Sequence, residues 1–290
     1  MRSILVPLVA AVLLVSAAFP AAAAGTGQVA MQEQVTLTVS VVSQGGTQVG
    51  GADITASWDG GETTATTASN GKAFVDVPRG ADVRLSVSAD RYVRNFPVTV
   101  EDATAEDVTI GVARKGSVTV AATSPTGPVG SASVRLVQGR RTVVSGRTDA
   151  DGTFSSGVVE QGEYTLVTGK PTYYTNRTDL AVDAEGTRTE VAMRTGGVQV
   201  EVRILDDHFD DPQTVDNATV EFGRVGSVRT TGGTAVFVAP VNTEHVIRAT
   251  KPAYDTARIE YSVGESADSV RLTIQREPKL EVRPANRRVV

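Results

Sequence analysis

The densest group of side chains that could do chemistry is an acidic run in the last third of the chain. Asp206-Asp207-His208-Phe209-Asp210-Asp211 places four carboxylates within six consecutive residues. Carboxylate oxygens are hard ligands of the kind that Ca²⁺ takes in proteins, so Asp206, Asp207, Asp210 and Asp211 could hold a calcium ion. A solvated acidic loop is the alternative and the favoured interpretation, because the ordered Asp-x-Asp-x-Asp-Gly spacing is missing. The sequence therefore predicts no cofactor, with calcium as the open alternative.

The chain contains few residues that could carry out other catalytic chemistry. There are two histidines, His208 in the acidic run and His245 at the start of a predicted strand, and there is no cysteine. The sequence contains no Gly-x-Ser-x-Gly turn, no His-Glu-x-x-His helix and no phosphate-binding glycine loop. His245 is interpreted as a half-buried strand residue, because related positions hold Val83 and Tyr164. We expect a protein that is not an enzyme.

Two aromatic side chains could stack on a sugar ring. Trp58, the only tryptophan, ends an inward-facing series near a sheet rim, where related positions hold Gln138 and Arg224. It is either a sugar platform or a lid on the core, and the lid is the favoured interpretation. Tyr174 is the second candidate, because the repeat described below assigns Tyr173 to the fold.

Two asparagines are candidate modification sites. Asn176-Arg177-Thr178 and Asn217-Ala218-Thr219 fit the acceptor pattern for N-glycosylation. Such short patterns also arise by chance, and they matter only in a cell that glycosylates its exported proteins. Asn176 and Asn217 therefore stay open as glycosylation sites.

The elements that carry these candidates occur in three copies. Two landmarks recur at a constant spacing of 81 residues: the turn pairs Asn70-Gly71, Asp151-Gly152 and Gly232-Gly233, and the tyrosines Tyr92, Tyr173 and Tyr254. A period of this length is too long for a solenoid repeat and has the size of a small domain. The repeat therefore predicts three consecutive domains.

Apolar and polar residues alternate through each copy. Val198, Val200, Val202 and Ile204 alternate with polar residues, which is the period of a strand with one buried face. No apolar pattern of useful length has helical spacing. The Asp-Gly turn at 151–152 is predicted to lie in a hairpin from Arg141 to Phe154. We expect an all-β chain of three tandem seven-stranded antiparallel β-sandwiches of the immunoglobulin or transthyretin type.

The domain limits follow from the landmarks and the alternation. We predict a signal peptide over 1–24, a spacer over 25–34, sandwich domains over 35–115, 116–196 and 197–277, and a tail over 278–290. Apolar and polar residues alternate again in the tail, at Leu280 and Val282. The tail could pack on the third domain or form the first strand of a further unit.

The second copy carries the fullest form of the repeated pattern. Its members are Thr148, Asp151, Gly152, Phe154, Gly162, Tyr164, Leu166 and Tyr173. In these residues it resembles the carboxypeptidase regulatory-like family of transthyretin-type sandwiches, some of which are grouped with starch-binding-like folds. The first copy keeps Asn70, Gly71, Phe74, Gly80, Leu85, Val87 and Tyr92, and the third keeps Gly233, Ile247 and Tyr254. The resemblance implies an accessory or surface module without a shared active site.

The first residues indicate export. Arg2, an apolar run from Ile4 to Phe19 and small residues up to Ala24 have the three regions of a signal peptide. The alternative is an uncleaved anchor, but about 16 apolar residues fall short of the roughly 20 that a bilayer needs. We therefore expect an extracellular or cell-surface protein without stable membrane insertion after cleavage. The absence of cysteine favours a prokaryotic source over an animal secretory pathway.

Charge restricts the partners. The net charge is −5 with a pI of about 5.2, and the arginines are dispersed along the chain. No basic face for nucleic acid is expected. The sequence favours a non-catalytic surface or extracellular structural or interaction module, with surface proteins or polysaccharide as partners. A carbohydrate-binding module and, less favoured, a calcium-stiffened stalk are the alternatives.

Overall fold

The structure is a computed structural model that describes residues 33–208 and 211–277. The predicted signal peptide (1–24), the spacer up to residue 32, Phe209, Asp210 and the tail (278–290) lie outside the described residues. Within the described part every regular element is a β-strand. None of these residues forms a helix that is long and apolar enough to cross a membrane.

Eight strands build the first sandwich. They are β1 (Gln34–Ser43), β2 (Asp53–Trp58), β3 (Gly61–Thr66), β4 (Lys72–Pro78), β5 (Val83–Ser88), β6 (Tyr92–Val93), β7 (Val98–Val100) and β8 (Asp107–Gly116). In one sheet β1 lies between β4 and β8, and in the other β2 lies between β3 and β5, with β7 beside β5. The short β6 pairs with both β5 and β8. Alternate residues of β1 are buried, because successive side chains of a strand point to opposite faces.

The second sandwich repeats this arrangement. Its strands are β9 (Val118–Ser124), β10 (Gly127–Pro128), β11 (Ser133–Gln138), β12 (Arg141–Arg147), β13 (Thr153–Ser155), β14 (Val159–Glu160), β15 (Gly162–Gly169), β16 (Asn176–Val182) and β17 (Thr187–Ala192). One sheet groups β10, β13 and β17 around β9, and the other has the order β12-β11-β15-β16. The remaining strand, β14, pairs with β8 of the first sandwich.

The third sandwich has the same two sheets. Its strands are β18 (Gly197–Asp206), β19 (Gln213–Thr214), β20 (Thr219–Phe222), β21 (Gly226–Arg229), β22 (Thr234–Pro240), β23 (Thr243–Thr250), β24 (Ala257–Val263) and β25 (Asp268–Thr273). One sheet groups β19, β22 and β25 around β18, and the other has the order β21-β20-β23-β24.

Buried apolar side chains form three separate clusters, one in each sandwich. The largest fully buried members include Leu37 and Ile54 in the first, Leu136 and Leu166 in the second, and Phe222 in the third. Burial of such side chains removes apolar surface from water and is the main favourable contribution to folding. The predicted all-β sandwich class is thus confirmed, whereas the domain limits stay a prediction.

Strand direction differs from the prediction in one respect. The first and last strands of each sandwich run parallel, in the pairs β1 with β8, β9 with β17 and β18 with β25, and the other pairs are antiparallel. Alternation of apolar residues encodes which face of a strand is buried and carries no information on the direction of its neighbour.

The predicted hairpin from Arg141 to Phe154 is wrong. β12 pairs with β11 in one sheet, and β13 pairs with β9 in the other, so the turn at Asp151-Gly152 carries the chain across the edge of the core. Gly152 has φ of 74°, a left-handed conformation that glycine adopts without a steric penalty. The sequence signal for a tight turn was correct, but it does not specify which sheet receives the next strand.

The position of Phe74 also differs from the position that the resemblance implies. Its side chain is 71% exposed on β4, whereas the neighbouring Ala73 is buried in the core. Phe154 packs against the core of the second sandwich. The strand period of two explains the difference, because moving an aromatic residue by one position turns it to the opposite face.

Candidate functional site

Several specific contacts of the described residues lie where one sandwich meets the next. We call residues 114–117 the first linker and residues 194–197 the second linker. In the first linker, the Lys115 N–H donates to the carbonyl oxygen of Arg91 at 2.8 Å, and the Gln161 N–H donates to the carbonyl oxygen of Arg114 at 2.7 Å. The linker is therefore held by the sandwich before it and by the sandwich after it.

The second linker is held in the same way. The Gly196 N–H donates to the carbonyl oxygen of Thr172 at 3.1 Å, and the Val241 N–H donates to the carbonyl oxygen of Gly196 at 3.1 Å. In addition, the Thr172 N–H donates directly to the Val241 carbonyl oxygen at 2.9 Å. These bonds fix the backbone that enters the third sandwich.

Each linker contains a glycine that lies closely against a neighbouring residue. A Cβ atom on Gly116 would lie 2.6 Å from the backbone oxygen of Asp183, and one on Gly196 would lie 2.1 Å from the ring of Tyr174. Both distances are shorter than any real carbon contact, so a side chain at either position must displace its neighbour. The linkers are close-packed against the sandwich that they leave or enter.

Asn95 connects the first sandwich to the second through three hydrogen bonds. Its Nδ2 group donates to Gln138 Oε1 at 3.0 Å and to the Tyr164 phenol oxygen at 2.7 Å. Its Oδ1 atom accepts from the Glu160 N–H at 2.9 Å. Burial, which outweighs the hydrogen bond from Asn95, raises the pKa of the Tyr164 phenol.

A stacked pair lies beside this network. The guanidinium carbon of Arg141, in the second sandwich, lies 3.8 Å from the ring centroid of Phe96 in the first. A cation over an aromatic face is attracted by the negative potential of the ring and contributes about 0.5–2 kcal/mol. The first junction is thus held by polar and cation–π contacts together.

The second junction uses a carboxylate instead. Asn242 Nδ2 donates to the Tyr173 carbonyl oxygen at 2.8 Å and to Glu265 Oε1 at 2.6 Å, and the Thr175 N–H donates to the same Oε1 at 2.7 Å. The hydrogen bonds from Asn242 and then Thr175 lower the pKa of the Glu265 carboxyl, because they favour its charged form. Glu265 of the third sandwich therefore anchors a loop of the second.

A buried threonine recurs in each sandwich. The hydroxyls of Thr67, Thr148 and Thr230 donate to the carbonyl oxygens of Val49, Val129 and Val215 and accept from the N–H groups of Ala52, Ala132 and Ala218. Each threonine directly follows β3, β12 or β21, and its side chain ties that strand to the loop that precedes the paired strand β2, β11 or β20. In contrast, the Oγ1 atom of fully buried Thr168 has no hydrogen-bond partner among the residues that the structure describes.

The acidic run is partly engaged by the end of the third sandwich. Asp206 is 2% exposed, accepts a hydrogen bond from the His208 N–H at 3.1 Å, and lies 3.4 Å from Arg276 Nε. Asp207 accepts from Gln275 Nε2 at 2.8 Å. Across residues 33–208 and 211–277, no group of three or more His, Cys, Asp or Glu side chains could hold a metal ion. Asp211 is exposed and Asp210 lies outside the described residues, so the solvated loop stays the favoured prediction and calcium binding the open alternative.

The two candidate sugar platforms both pack on protein. Trp58 is the last residue of β2, is half-buried against the first core, and lies over Gly61, whose Cβ would be 3.0 Å from the indole. Tyr174 is 37% exposed, and its ring lies on Gly196 of the second linker. Neither side chain stands away from the fold as an isolated ring.

The asparagines and His245 lie on strands and turns. Asn176 begins β16, is half-buried, and accepts a hydrogen bond from the Thr178 hydroxyl at 2.7 Å. Asn217 is exposed in a turn with φ of 56°. His245 is half-buried in β23, 2.9 Å from the Thr243 hydroxyl and edge-on to Phe222.

The residues of the junctions were not predicted from the sequence. Three single polar residues in loops make these contacts: Asn95, Asn242 and Glu265. No pattern in the sequence around them distinguishes them from solvated polar residues. The buried threonines could have been found, because Thr67 and Thr148 keep the 81-residue spacing of the landmarks. A polar residue that recurs in the register of a core repeat indicates a structural hydrogen bond.

These features define an all-β protein of consecutive sandwiches joined by close-packed linkers. No protein-family model matches the chain, and no curated protein matches it in sequence. The resemblance to carboxypeptidase regulatory-like modules therefore stays a prediction.

Several solved structures are similar in parts of the fold. The Bacillus anthracis TIE protein is 17% identical with a TM-score of 0.35; the match covers 84% of this chain and 51% of that one. A streptococcal ancillary pilin is 12% identical with a TM-score of 0.31, covering 85% and 100%. BcpA, the major pilin subunit of Bacillus cereus, is 11% identical with a TM-score of 0.24, covering 84% and 99%. The chain thus spans about half the length of the TIE protein, and likeness at these scores assigns no function.

Proposed function

We propose that the chain is a non-catalytic, exported structural and interaction module of the cell surface or extracellular space. It consists of three sandwich domains over 35–115, 116–196 and 197–277, and surface proteins are its expected partners. The signal-peptide pattern over 1–24 supports export. The observation that carries the structural role is the pair of linkers, each bonded to the sandwich on either side.

The linkers support this role because they resist bending. Relative motion is the ordinary behaviour of domains within a chain unless their interface is extensive and well packed. Here the backbone of Lys115 and that of Gly196 are each bonded to the preceding sandwich, and Gly116 and Gly196 leave no space for a side chain. A chain that transmits force or presents a surface at a fixed distance benefits from such stiffness.

The side-chain contacts at the junctions support the same role. Asn95 satisfies both of its polar atoms across the first junction, and Asn242 and Glu265 bridge the second. The hydrogen bond of a charged acceptor is worth about 1.5–3 kcal/mol when it is shielded, and less when solvent screens it. These polar groups thus connect neighbouring sandwiches.

Limited digestion with trypsin tests the proposal. Arg114 and Lys115 lie in the first linker and Arg194 in the second, so trypsin can cut either linker as soon as it opens. We expect the wild-type chain to resist cleavage at these three residues under native conditions, with mass spectrometry identifying the products. Asn95→Ala should accelerate cleavage after Arg114 and Lys115 about tenfold, as a loss of about 1.4 kcal/mol in the free energy of local opening implies.

Each variant is a control for the other junction. Asn242→Ala should accelerate cleavage after Arg194 and leave the first linker resistant, whereas Asn95→Ala should leave the second linker resistant. If the wild-type chain is cut at both linkers as rapidly as it is cut after urea treatment, the junctions are flexible and the proposed structural role is wrong.

A further inference from the structure

A cavity of about 260 Å³ lies on the second sandwich, where it meets Asn242 of the third. Among the described residues that line this cavity, two are positively charged, Arg147 and Lys170, and none is acidic. The chain as a whole has a net charge of −5. A concave surface whose charge is opposite to that of the whole chain favours a negatively charged ligand.

The backbone holds the two cationic groups close to each other. Lys170 Nζ donates to the carbonyl oxygen of Gly130 at 2.7 Å, and Arg147 Nη1 donates to that of Ser131 at 3.4 Å. Because Gly130 and Ser131 are consecutive, the two cations lie on neighbouring carbonyl groups. Like charges at short range repel each other, and an anion that contacts both cations offsets this repulsion. An ammonium has three N–H donors and a guanidinium has five, so both groups retain donors for an anion.

Carboxylates in the same region have other partners. Glu265 accepts the hydrogen bonds of the second junction described above. The Asp149 carboxylate accepts from two N–H groups of its own turn, at 2.7 and 3.0 Å. Neither Arg147 nor Lys170 takes part in a salt bridge within the described ranges, 33–208 and 211–277. The two positive charges are thus left without a negative partner in the described part of the chain.

The first sandwich has a cavity at the equivalent place with a different charge. Asp53 and Asp90 line it together with Arg91, at a volume of about 390 Å³. Asp53 corresponds to Ser133, because each follows the alanine that bonds to the buried threonine. Asp90 corresponds to Pro171 at the spacing of 81 residues. The fold therefore forms this cavity without requiring it to be positive.

The third sandwich keeps both cations but adds a carboxylate. Arg229 and Lys251 occupy the places of the two cations, each directly after or before the same landmarks of the repeat. Asp216 stands where the second sandwich has Gly130, two residues before the alanine that bonds to the buried threonine. The three copies share the place and differ in its charge, so the uncompensated cations are a property of the second sandwich alone within the described residues.

We propose that this cavity binds an oxyanion group, a phosphate or a carboxylate, of an extracellular ligand. Arg147 offers a planar fork that suits bidentate contact with an oxyanion, and Lys170 offers a compact point charge. Sites that enclose a drug-sized molecule measure roughly 300–1,000 Å³, so this smaller cavity fits one charged group of a ligand. The inference goes beyond the proposed function, because a structural module does not have to bind an anion.

A nuclear magnetic resonance titration of the chain tests the inference. Sodium phosphate and sodium acetate are added separately at pH 7, with sodium chloride keeping the ionic strength constant. We expect saturable shifts of the amide signals of Ser131, Ser133 and Thr175, and none in the equivalent segment 50–53 of the first sandwich. Tighter binding of phosphate identifies a phosphate-bearing ligand, and tighter binding of acetate identifies a carboxylate-bearing one.

A substitution at Ser133 provides the sharpest variant. Ser133 is exposed and lies opposite Arg147 in the pairing of β11 with β12. Ser133→Asp introduces the carboxylate that the first sandwich has at this position, which pairs with Arg147 and repels an anion. The dissociation constant for phosphate should therefore rise about tenfold or more. Ser133→Asn has nearly the same size without the charge, and it should leave the dissociation constant within about twofold of the wild type.

Arg147→Gln tests the guanidinium directly. It should raise the dissociation constant for phosphate about threefold to tenfold, because it removes one of the two charges. Arg188→Gln is the matched control, since Arg188 is exposed on β17 in the other sheet of the same sandwich. It changes the net charge equally and should leave the dissociation constant within about twofold, because solvent and salt screen a distant charge.

Three results would overturn the inference. The first is the absence of saturable shifts at the cavity with both anions. The second is an equal affinity for phosphate in Ser133→Asp and Ser133→Asn. The third is an equal loss of affinity in Arg147→Gln and Arg188→Gln, which would indicate an unspecific effect of net charge. Resistance of the linkers to trypsin is measured separately, so each of these results can occur while the proposed function stands.

Discussion

The side-chain amide of Asn95 in the first sandwich donates a hydrogen bond of 2.7 Å to the phenol oxygen of Tyr164 in the second. The phenol in turn donates to the carbonyl oxygen of Glu160 at 2.7 Å. Tyr164 is only 3% exposed and belongs to the core of its own sandwich. A core residue of one sandwich thus has its hydrogen bonding completed by the neighbouring one, which couples the stability of the two.

The variant Tyr164→Phe measures this coupling. It removes the phenol oxygen and leaves the Glu160 carbonyl and the Asn95 amide with one partner fewer, so we expect the free energy of unfolding to fall by about 1–3 kcal/mol. Because Trp58 is the only tryptophan and lies in the first sandwich, its fluorescence reports on that sandwich alone. The urea midpoint measured from Trp58 should therefore decrease although the substitution lies in the second sandwich.

A double-mutant cycle with Asn95→Ala isolates the contact. For two residues in one hydrogen-bond network, a coupling energy of about 0.5–3 kcal/mol is expected. A coupling near zero, or a midpoint from Trp58 that does not move in Tyr164→Phe, would show that the sandwiches unfold independently.

The recurring buried threonine gives a second prediction. Thr148→Val keeps the shape of the side chain but leaves the Val129 carbonyl and the Ala132 N–H without a partner in the core. We expect a loss of about 2–4 kcal/mol in the free energy of unfolding, since each unsatisfied buried group costs about 1–3 kcal/mol. Chemical denaturation followed by circular dichroism measures the change.

Thr168→Val is the matched control for that prediction. Thr168 is fully buried in the same sandwich, but its Oγ1 atom has no hydrogen-bond partner within 33–208 and 211–277. Replacing the hydroxyl by a methyl group removes an unsatisfied polar atom, so Thr168→Val should be neutral or stabilising. Equal destabilisation by the two substitutions would mean that shape, and not the hydrogen bonds of Thr148, determines the effect.

The repeat and the alternation of apolar residues were sufficient to predict the sandwiches. Tyr92, Tyr173 and Tyr254 occupy equivalent bridges in the three sandwiches, as their constant spacing required. The alternation in β18 correctly placed Val198, Val200, Val202 and Ile204 in the core. The alternation can be recognised in the sequence because every second residue of a strand points to the same, buried face.

The connections between sheets and between sandwiches were not predictable from the same signals. A turn at Asp151-Gly152 has the same residues whether the next strand joins the same sheet or the opposite one, so the hairpin prediction failed. Asn95 and Glu265 act through partners 69 and 90 residues away, and a single sequence contains no record of such contacts. The junctions, which carry the proposed function, depend on tertiary contacts that only the structure reveals.

The Glu265 carboxylate makes the second junction sensitive to acid. Its pKa is lowered in the folded state, first by the hydrogen bond from the Asn242 amide and then by the side chain and the N–H of Thr175. A lowered pKa means that the stabilisation is present above the pKa of about 4.3 of the unfolded chain and is lost as the pH falls through the folded value. Because the carboxylate is largely exposed, salt should screen the effect and keep it small.

Comparison with Glu265→Gln measures this contribution. The glutamine oxygen can still accept hydrogen bonds, but it carries no charge. We expect the wild type to be more stable than Glu265→Gln at pH 7 and the difference in melting temperature to disappear as the pH falls below about 4. A difference that is constant from pH 7 to pH 3 would show that the charge of Glu265 does not contribute.

The two linker glycines should differ in their tolerance of a methyl group. In Gly116→Ala the new Cβ would lie 2.6 Å from the backbone oxygen of Asp183, so backbone must move, at a cost of about 1–3 kcal/mol. In Gly196→Ala the close neighbour is the ring of Tyr174, which is 37% exposed and can turn towards solvent. Gly196→Ala should therefore lower the melting temperature less than Gly116→Ala, and in a Tyr174→Ala background it should have no further effect.

Gly111→Ala is the control for these glycine variants. Gly111 lies in β8 with open space where its Cβ would be, so alanine there should be neutral or slightly stabilising by restricting the unfolded chain. Trypsin provides the local measurement, because Gly116→Ala should expose Lys115 to cleavage and Gly111→Ala should not. Cleavage after Lys115 that is equally slow in Gly116→Ala and in the wild type would contradict the close packing of the first linker, since an opened linker exposes that bond first.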